Sequence, residues 1–263
     1  ALAEAEMVRR LGVEIKTQME LGRNLSWEEV RNNFDAVFLS VGLGSVPQLG
    51  IPGEELIVDG LSYIETSKMN PSALQVGREV VVIGAGNTAV DCATIAKRLG
   101  AERVTMVYRR TDKEMTAYPH EYEFAKKEGI EFRFLTQPVE VLHEGGKITG
   151  LKCVRMQLGA PDASGRPAPE PVPGSEFVLP CDQVVKAIGQ EKPAVAKLLG
   201  LETEKGFIKV NDQFETSLPG VYAGGDCIRA KGSASTVMAV QDGKLAAFAI
   251  HRRLVAGLEA AAD

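Results

Sequence analysis

The sequence has little with which to bind a metal or shuttle a disulfide. Its four cysteines, Cys92, Cys153, Cys181 and Cys227, are scattered, and no two form a C-x-x-C pair. That spacing argues against an iron–sulfur cluster, a zinc knuckle or a redox dithiol within the chain, and predicts buried free thiols. The three histidines, His120, His143 and His251, are equally far apart and show no metal-ligand spacing. No apolar run reaches the roughly 18 to 20 residues that cross a bilayer, and no secretory leader opens the chain. Excess basic charge is missing too. The chain has 30 Lys and Arg against 35 Asp and Glu, a net charge of −5, which disfavours nucleic acid or an anionic membrane as partner. A reducing, cytoplasmic setting is expected.

What remains is an ordinary globular composition, 44% hydrophobic and 25% charged over 263 residues. That length builds one large domain or two smaller ones. "ALAEAEMVRRLG" has helical apolar spacing ending at Gly12, "VEIKTQMEL" alternates like a strand, and "WEEVRNN" reads as a short helix. "DAVFLSVGLG" is a buried parallel-type strand closing on a glycine turn, with Pro47, Pro52 and Gly53 marking a linker after it.

From about Gly60 a β-α-β rhythm restarts: strand "VVVIG", a helix over Asn87 to Leu99, strand "RVTMVYRR", a helix over Pro119 to Lys127, and strand "IEFRFL". "VEVLHEGGKITGLKCVRMQL" predicts a hairpin turning at Gly145-Gly146. "GAPDASGRPAPEPVPGSE" reads as a surface excursion rich in proline and glycine. "FVLPCDQVVKAIGQ" returns as strands, followed by "GFIKV", "GVYAGGD" and a helix from about Thr236 to Leu254. The turns in "SVGLG" and "KAIGQ" echo each other, as if one nucleotide fold were inserted in another.

Gly84-Ala85-Gly86-Asn87-Thr88-Ala89 is a G-x-G-x-x-A loop between strand and helix. The first glycine permits the tight turn, the second lets backbone approach a pyrophosphate, and the small last residue allows close packing of helix on strand. The helix from Asn87 offers that phosphate its N–H groups and positive dipole end. The residues after the next strand speak to the cofactor. An acidic residue there suits the ribose of NAD, whereas arginine suits a 2′-phosphate. The chain has Tyr108-Arg109-Arg110, with Asp112 further into the loop, so NADPH fits better. Should an arginine only stack on adenine or face solvent, NADH stays open. Tyr122 and Lys126 also spell Y-x-x-x-K, the short-chain dehydrogenase pair. Their place soon after the glycine loop, on a helix with a charged face, makes that a coincidence of spelling.

"VVVIGAGNTAVDCA", "LGAERVTMVYRRTDKEMTA", "VVKAIGQ", "GVYAGGD" and "AVQDGKLAAFAIHRRL" come in an order that resembles the glutamate synthase small-subunit pattern of flavoproteins. That group includes the amino-terminal half of dihydropyrimidine dehydrogenase. The resemblance implies an α/β fold of two nested Rossmann-like domains, glutathione-reductase-like. The NAD(P)H domain (58–189) is inserted in a partial FAD domain (1–57 and 190–263). It also implies that Gly84 to Thr88, Arg109, Arg110, Ala187, Ile188 and Gly189 contact the pyridine nucleotide. Gly225 and Asp226 would approach the ribityl–pyrophosphate stretch of FAD, and Gly42 the adenosine half. The helix starting at Thr236 and Val237 would aim at the pyrimidine edge of the flavin, where its dipole favours the reduced anion.

The activity so implied is hydride transfer from NADPH or NADH to FAD, with electrons passing to iron–sulfur centres or a partner subunit. No side-chain acid or base is expected. Relatives carry a FAD glycine loop and a cysteine-rich iron–sulfur domain ahead of the stretch matched here, so the chain is expected to be part of a longer polypeptide. Two other readings stay open: an NADP(H)-binding module with no turnover of its own, and a thioredoxin-reductase-like enzyme, which would need the C-x-x-C that is missing.

Overall fold

A computed structural model of the protein describes residues 2–162, 165–229 and 234–262. Ala1, at the head of the first predicted helix, and Ala163 and Ser164, within the predicted excursion, lie outside them. The chain runs through α1 (Leu2–Arg10), α2 (Trp27–Asn33) and β1 (Val37–Leu39) into β2 (Val58–Asp59) and α3 (Gly60–Met69). Strict alternation follows: β3 (Glu79–Ile83), α4 (Asn87–Arg98), β4 (Arg103–Val107), α5 (Pro119–Lys127) and β5 (Glu131–Arg133). Then come β6 (Thr136–Glu144), β7 (Lys147–Pro161), β8 (Pro167–Pro171), β9 (Phe177–Pro180) and β10 (Gln183–Lys186). The last elements are α6 (Ala194–Leu198), β11 (Thr203–Glu204), β12 (Phe207–Ile208), β13 (Val221–Ala223) and α7 (Thr236–Ala262).

Two compact units result, Ser45–Glu191 and the flanking Ala1–Gly44 with Lys192–Asp263, so one α/β unit is inserted in the other. The inserted unit is built on a parallel sheet of order β2-β10-β3-β4-β5. Side chains alternate across a strand, so the valine runs serve two faces at once. Val80, Val82, Val104, Met106 and Val185 face the helices, where Ala89, Ala93 and Ala96 are small enough to let α4 lie close. Val81, Ile83, Val107 and Val184 face the other way, onto Val141, Leu151, Cys153 and Leu179 of the antiparallel strands. Each such valine, fully buried, contributes roughly 1.5 to 3 kcal/mol.

The antiparallel layer contains the expected hairpin. Gly145 and Gly146 take φ of +55° and +78°, the two left-handed residues of a tight hairpin turn. The excursion after β7 is more ordered than its composition suggests, because β8 pairs with β7 from Met156 to Pro161. Prolines at 167, 169 and 171 occupy alternate positions, which leaves the N–H groups of Ala168 and Glu170 on one edge to pair.

The unit begins earlier than the β-α-β rhythm suggests, at residue 45 rather than 58. Residues 45–57 pack onto the sheet instead of linking units. Glu191 donates its N–H to the Ser45 carbonyl, 2.9 Å, and Val141 N–H bonds the Pro52 carbonyl at 2.9 Å. Glu54 accepts from the N–H groups of Leu49 and Gly50 and from Lys186 Nζ at 2.7 Å. Burial works to raise the Glu54 pKa, but Lys186 and the two N–H donors outweigh it and hold the carboxyl below its ordinary value.

The flanking unit has a parallel pair, Val37↔Val221 to Leu39↔Ala223, over a core of Leu39, Ala196, Leu201, Ile208, Val221, Ala223 and Cys227. The strand expected at residues 13–21 does not form. That stretch is exposed up to Glu20 and, apart from an isolated bridge from Leu21 to Leu25, has no partner among the described strands, so its alternation has nothing to pair with. No described helix is long and apolar enough to cross a membrane.

Glu54→Gln is expected to lower unfolding stability at neutral pH by about 1 to 3 kcal/mol, since it leaves Lys186 buried without its counter-charge. A depressed carboxylate pKa stabilises above the unfolded-state value and loses that contribution as pH falls through the folded value. Urea unfolding across the acid limb below about pH 4.5 should therefore be shallower in the variant than in the wild type.

Candidate functional site

In the inserted unit, the turn after β3 and the turn after β10 meet. Gly84 has φ of +134°, and a Cβ there would lie 2.2 Å from the Ala187 carbonyl oxygen. Ala187 N–H in turn bonds the Ile83 carbonyl at 2.8 Å. Gly84 and Ala187 are therefore brought together, with Ile188 and Gly189 continuing from the same point. Gly189 has φ of +101° and an exposed backbone.

The loop following β4 folds back over the glycine turn. The N–H groups of Thr116 and Ala117 both reach the Ala85 carbonyl, at 3.2 and 3.1 Å, and Tyr118 N–H reaches Asn87 Oδ1 at 2.9 Å. Thr111 and Glu114 close a capping box, and Tyr108 donates its hydroxyl to the Glu114 carbonyl at 2.8 Å. These bonds fix the loop after β4 beside the amino end of α4. Gly86 is the N-cap of that helix, and no described side chain caps it. Ala89 N–H turns back to the Gly86 carbonyl at 3.0 Å, and the amides ahead of it at the uncapped start of α4 suit an anionic group.

The structure treats the two arginines after β4 differently. Arg109 is exposed, beyond the strand end. Arg110 is only 3% exposed; its Nε donates to the Pro167 carbonyl at 2.9 Å and its NH2 to Asp162 Oδ2 at 2.6 Å. Of the two arginines expected at the pyridine nucleotide, Arg110 is turned inward and only Arg109 is left exposed. Arg110 is committed to holding β8 and its approach onto the sheet edge.

The second set of residues belongs to the flanking unit. Gly224, Gly225 and Asp226 follow β13, with Gly225 at φ of +78° and Asp226 half-buried in a short 3₁₀ turn. Gly42 has φ of +64° with open space around it. Thr236 and Val237 start α7 as expected, and Val237 is 78% exposed. Arg229 Nε is buried with no hydrogen-bond partner among the described residues, an orphan donor beside the Gly225 turn. A residue that sequence reading passed over, Asp242 of α7, accepts the Gly225 N–H at 2.9 Å and pairs with Arg229. Its signal was modest: one acid amid the apolar and small residues of "VMAVQDGKLAA".

The four cysteines are buried. Burial pushes the thiols of Cys92, Cys153 and Cys181 up to about 12, so they stay protonated and inert.

A family model described as pyridine nucleotide-disulphide oxidoreductase matches residues 5–243. The chain belongs to that family. Among curated relatives, this pyridine nucleotide-disulphide oxidoreductase is 39% identical over 260 residues to the NADP(+)-dependent formate dehydrogenase subunit beta of Moorella thermoacetica. That match covers 97% of this chain and 36% of the relative. The glutamate synthase [NADPH] small chain of Halomonas elongata is 40% identical over 255 residues, covering 90% of this chain and 53% of the relative. The chain thus spans about a third to a half of these relatives' length. Among solved structures, Mycobacterium tuberculosis FprA in complex with NADPH aligns at a TM-score of 0.68 and 21% identity, covering 90% of this chain and 67% of that one. T. acidophilum thioredoxin reductase aligns at 0.65 and 23%, covering 84% and 66%. These likenesses show the α/β Rossmann-type fold, and the relatives establish membership of an oxidoreductase family that uses NAD(P)H and FAD.

Arg110→Ala should lower the stability of the protein by about 2 kcal/mol or more in thermal unfolding, because it removes a buried guanidinium that pairs with half-buried Asp162 and donates to the Pro167 carbonyl. Arg109→Ala, a surface change, should stay within about 0.5 kcal/mol of the wild type.

Proposed function

We propose that the chain is the pyridine-nucleotide unit and part of the flavin unit of an NAD(P)H-dependent flavoprotein oxidoreductase. The inserted unit, 58–189 in the reading from sequence and 45–191 as a compact body, holds NADPH in preference to NADH. The flanking unit holds FAD in part. The observation that carries this reading is the uncapped turn at Gly84–Thr88, closed against Ala187 and followed one strand later by an exposed Arg109. Main-chain amides there take the pyrophosphate, the α4 dipole adds to them, and the Arg109 fork takes a 2′-phosphate. The relatives support this reading: the formate dehydrogenase and glutamate synthase relatives are named for NADP(+) or NADPH, as is the NADPH-Fe(3+) oxidoreductase subunit beta of Geobacter sulfurreducens.

The residues near Gly225 fit a flavin: a left-handed glycine for close backbone approach, Asp226 to accept from a ribityl hydroxyl, and the orphan Arg229 donor. When bound, FAD would accept the hydride and release electrons singly to a partner. The chain's own residues bind and orient, and none is asked to move a proton. The electron acceptor is a partner subunit or domain with iron–sulfur centres, in keeping with relatives named as beta subunits and small chains. The setting is cytoplasmic, without nucleic acid or membrane.

The first β-α-β unit of the FAD fold comes from polypeptide outside these 263 residues. Support for this lies in the two-stranded sheet and in α7, where Val237, Val240 and Phe248 are 78%, 67% and 56% exposed. The same features favour a second reading of the isolated chain, as an NADP(H)-binding module that retains no flavin.

The full-length polypeptide should lose its flavin absorbance on anaerobic addition of NADPH; no bleaching with either nicotinamide would remove the oxidoreductase reading. Arg109→Ala should raise the Michaelis constant for NADPH by about 10-fold or more, as loss of a charge-assisted phosphate contact does, with NADH changed by about 2-fold at most. Equal losses for both would return the 2′-phosphate assignment to open question.

A further inference from the structure

Asp242 is a buried carboxylate, 3% exposed, one turn and a half into α7. Carboxylates take such positions only when their charge is matched and their lone pairs are used. Here both needs are met from a single place, the turn that follows β13. Oδ2 of Asp242 accepts the Gly225 N–H at 2.9 Å, and the same oxygen pairs with the Arg229 guanidinium. The turn is thus held at both ends, by its first glycine and by the arginine that closes it.

Packing tightens the clamp. A Cβ at Gly224 would lie 2.9 Å from Asp242 Cβ and 2.7 Å from Phe38 Cζ, so α7 and β1 both press on the turn. A Cβ at Gly225 would meet Ala239 Cβ at 3.4 Å, one helical turn before Asp242. Asp242 engages Arg229 through NH2, and the buried Nε of Arg229 has no partner among the described residues.

We propose that Asp242 is a positioning residue for flavin: it locks the Gly224–Ile228 turn onto α7 and holds Arg229 oriented, so that the Gly225 backbone and the Arg229 Nε meet the cofactor preformed. The inference rests on the FAD reading above. Asp242 itself touches no cofactor; it acts through Gly225 and Arg229. Removing it releases a backbone amide and leaves a guanidinium buried without its counter-charge.

The test uses the full-length polypeptide, with Asp242→Ala, Asp242→Asn and Asp242→Glu, and FAD as the probe. Asp242→Ala should weaken FAD binding by about 10-fold or more, alter the visible circular dichroism of the bound flavin, and speed amide exchange at Gly225 by about 10-fold. Asp242→Asn keeps an acceptor without the charge and should fall between. Asp242→Glu should return FAD affinity to within about 3-fold of the wild type, a rescue that a role in packing alone would not give, since the longer side chain packs worse. NADPH titration, reporting on the inserted unit, serves as the folding control for every variant. Wild-type flavin affinity in both Asp242→Ala and Asp242→Asn, or unchanged exchange at Gly225, would overturn the proposal, as would a Glu variant no better than Ala. A wild-type protein that takes up no FAD overturns the flavin reading and this inference with it, an outcome distinct from a flavin-loaded wild type with equally loaded variants.

Discussion

The main chain at Gly84 passes so near the Ala187 carbonyl that one methyl group would force the two turns apart. Much of the inserted unit follows from that contact. It sets the carboxyl ends of β3 and β10 side by side, the place where ligands bind in open parallel sheets. It also demands a residue without a side chain in a left-handed conformation, which glycine alone takes without strain. With the turn seated there, α4 leaves the sheet with its amino end open, and the loop from Thr111 to Tyr118 is bonded down around it. The candidate site is a consequence of backbone packing before it is a collection of side chains.

Rigid surroundings keep that packing in place. The sheet is sealed on both faces, by small residues of α4 on one and by antiparallel strands on the other. The ends of the unit are tied by the Ser45–Glu191 backbone bond, and the buried Glu54–Lys186 pair anchors the entering segment one residue before the Ala187 turn. Preorganisation of this sort suits a dinucleotide site, because main-chain donors already fixed in place need little ordering when a ligand binds.

In the flanking unit the same logic is less complete. A glycine turn, an acid beside it and a long helix recur, but the sheet has two strands and α7 keeps large apolar side chains in water. A soluble helix rarely leaves Val237, Val240 and Phe248 uncovered without something to lie against them. One unit is thus sealed on both faces of its sheet, while the other leaves apolar side chains uncovered.

The sequence by itself determined the α/β alternation, the positions of α4, α5 and the Gly145-Gly146 hairpin, and the glycine turn, because each rests on neighbours within a few residues: valine runs, a small-residue helix face, paired glycines. It also named Arg109 and Arg110 as a pair, and there its reach stopped. Only the tertiary structure decided that Arg110 turns inward to Asp162 and Pro167 while Arg109 stays outside, that residues 13–21 find no strand to pair with, and that a proline-rich stretch becomes an edge strand. The same holds for Asp242, whose partners lie 17 and 13 positions back along the chain. Local pattern can state what a residue is able to bond; which groups come within reach is settled by how distant segments pack.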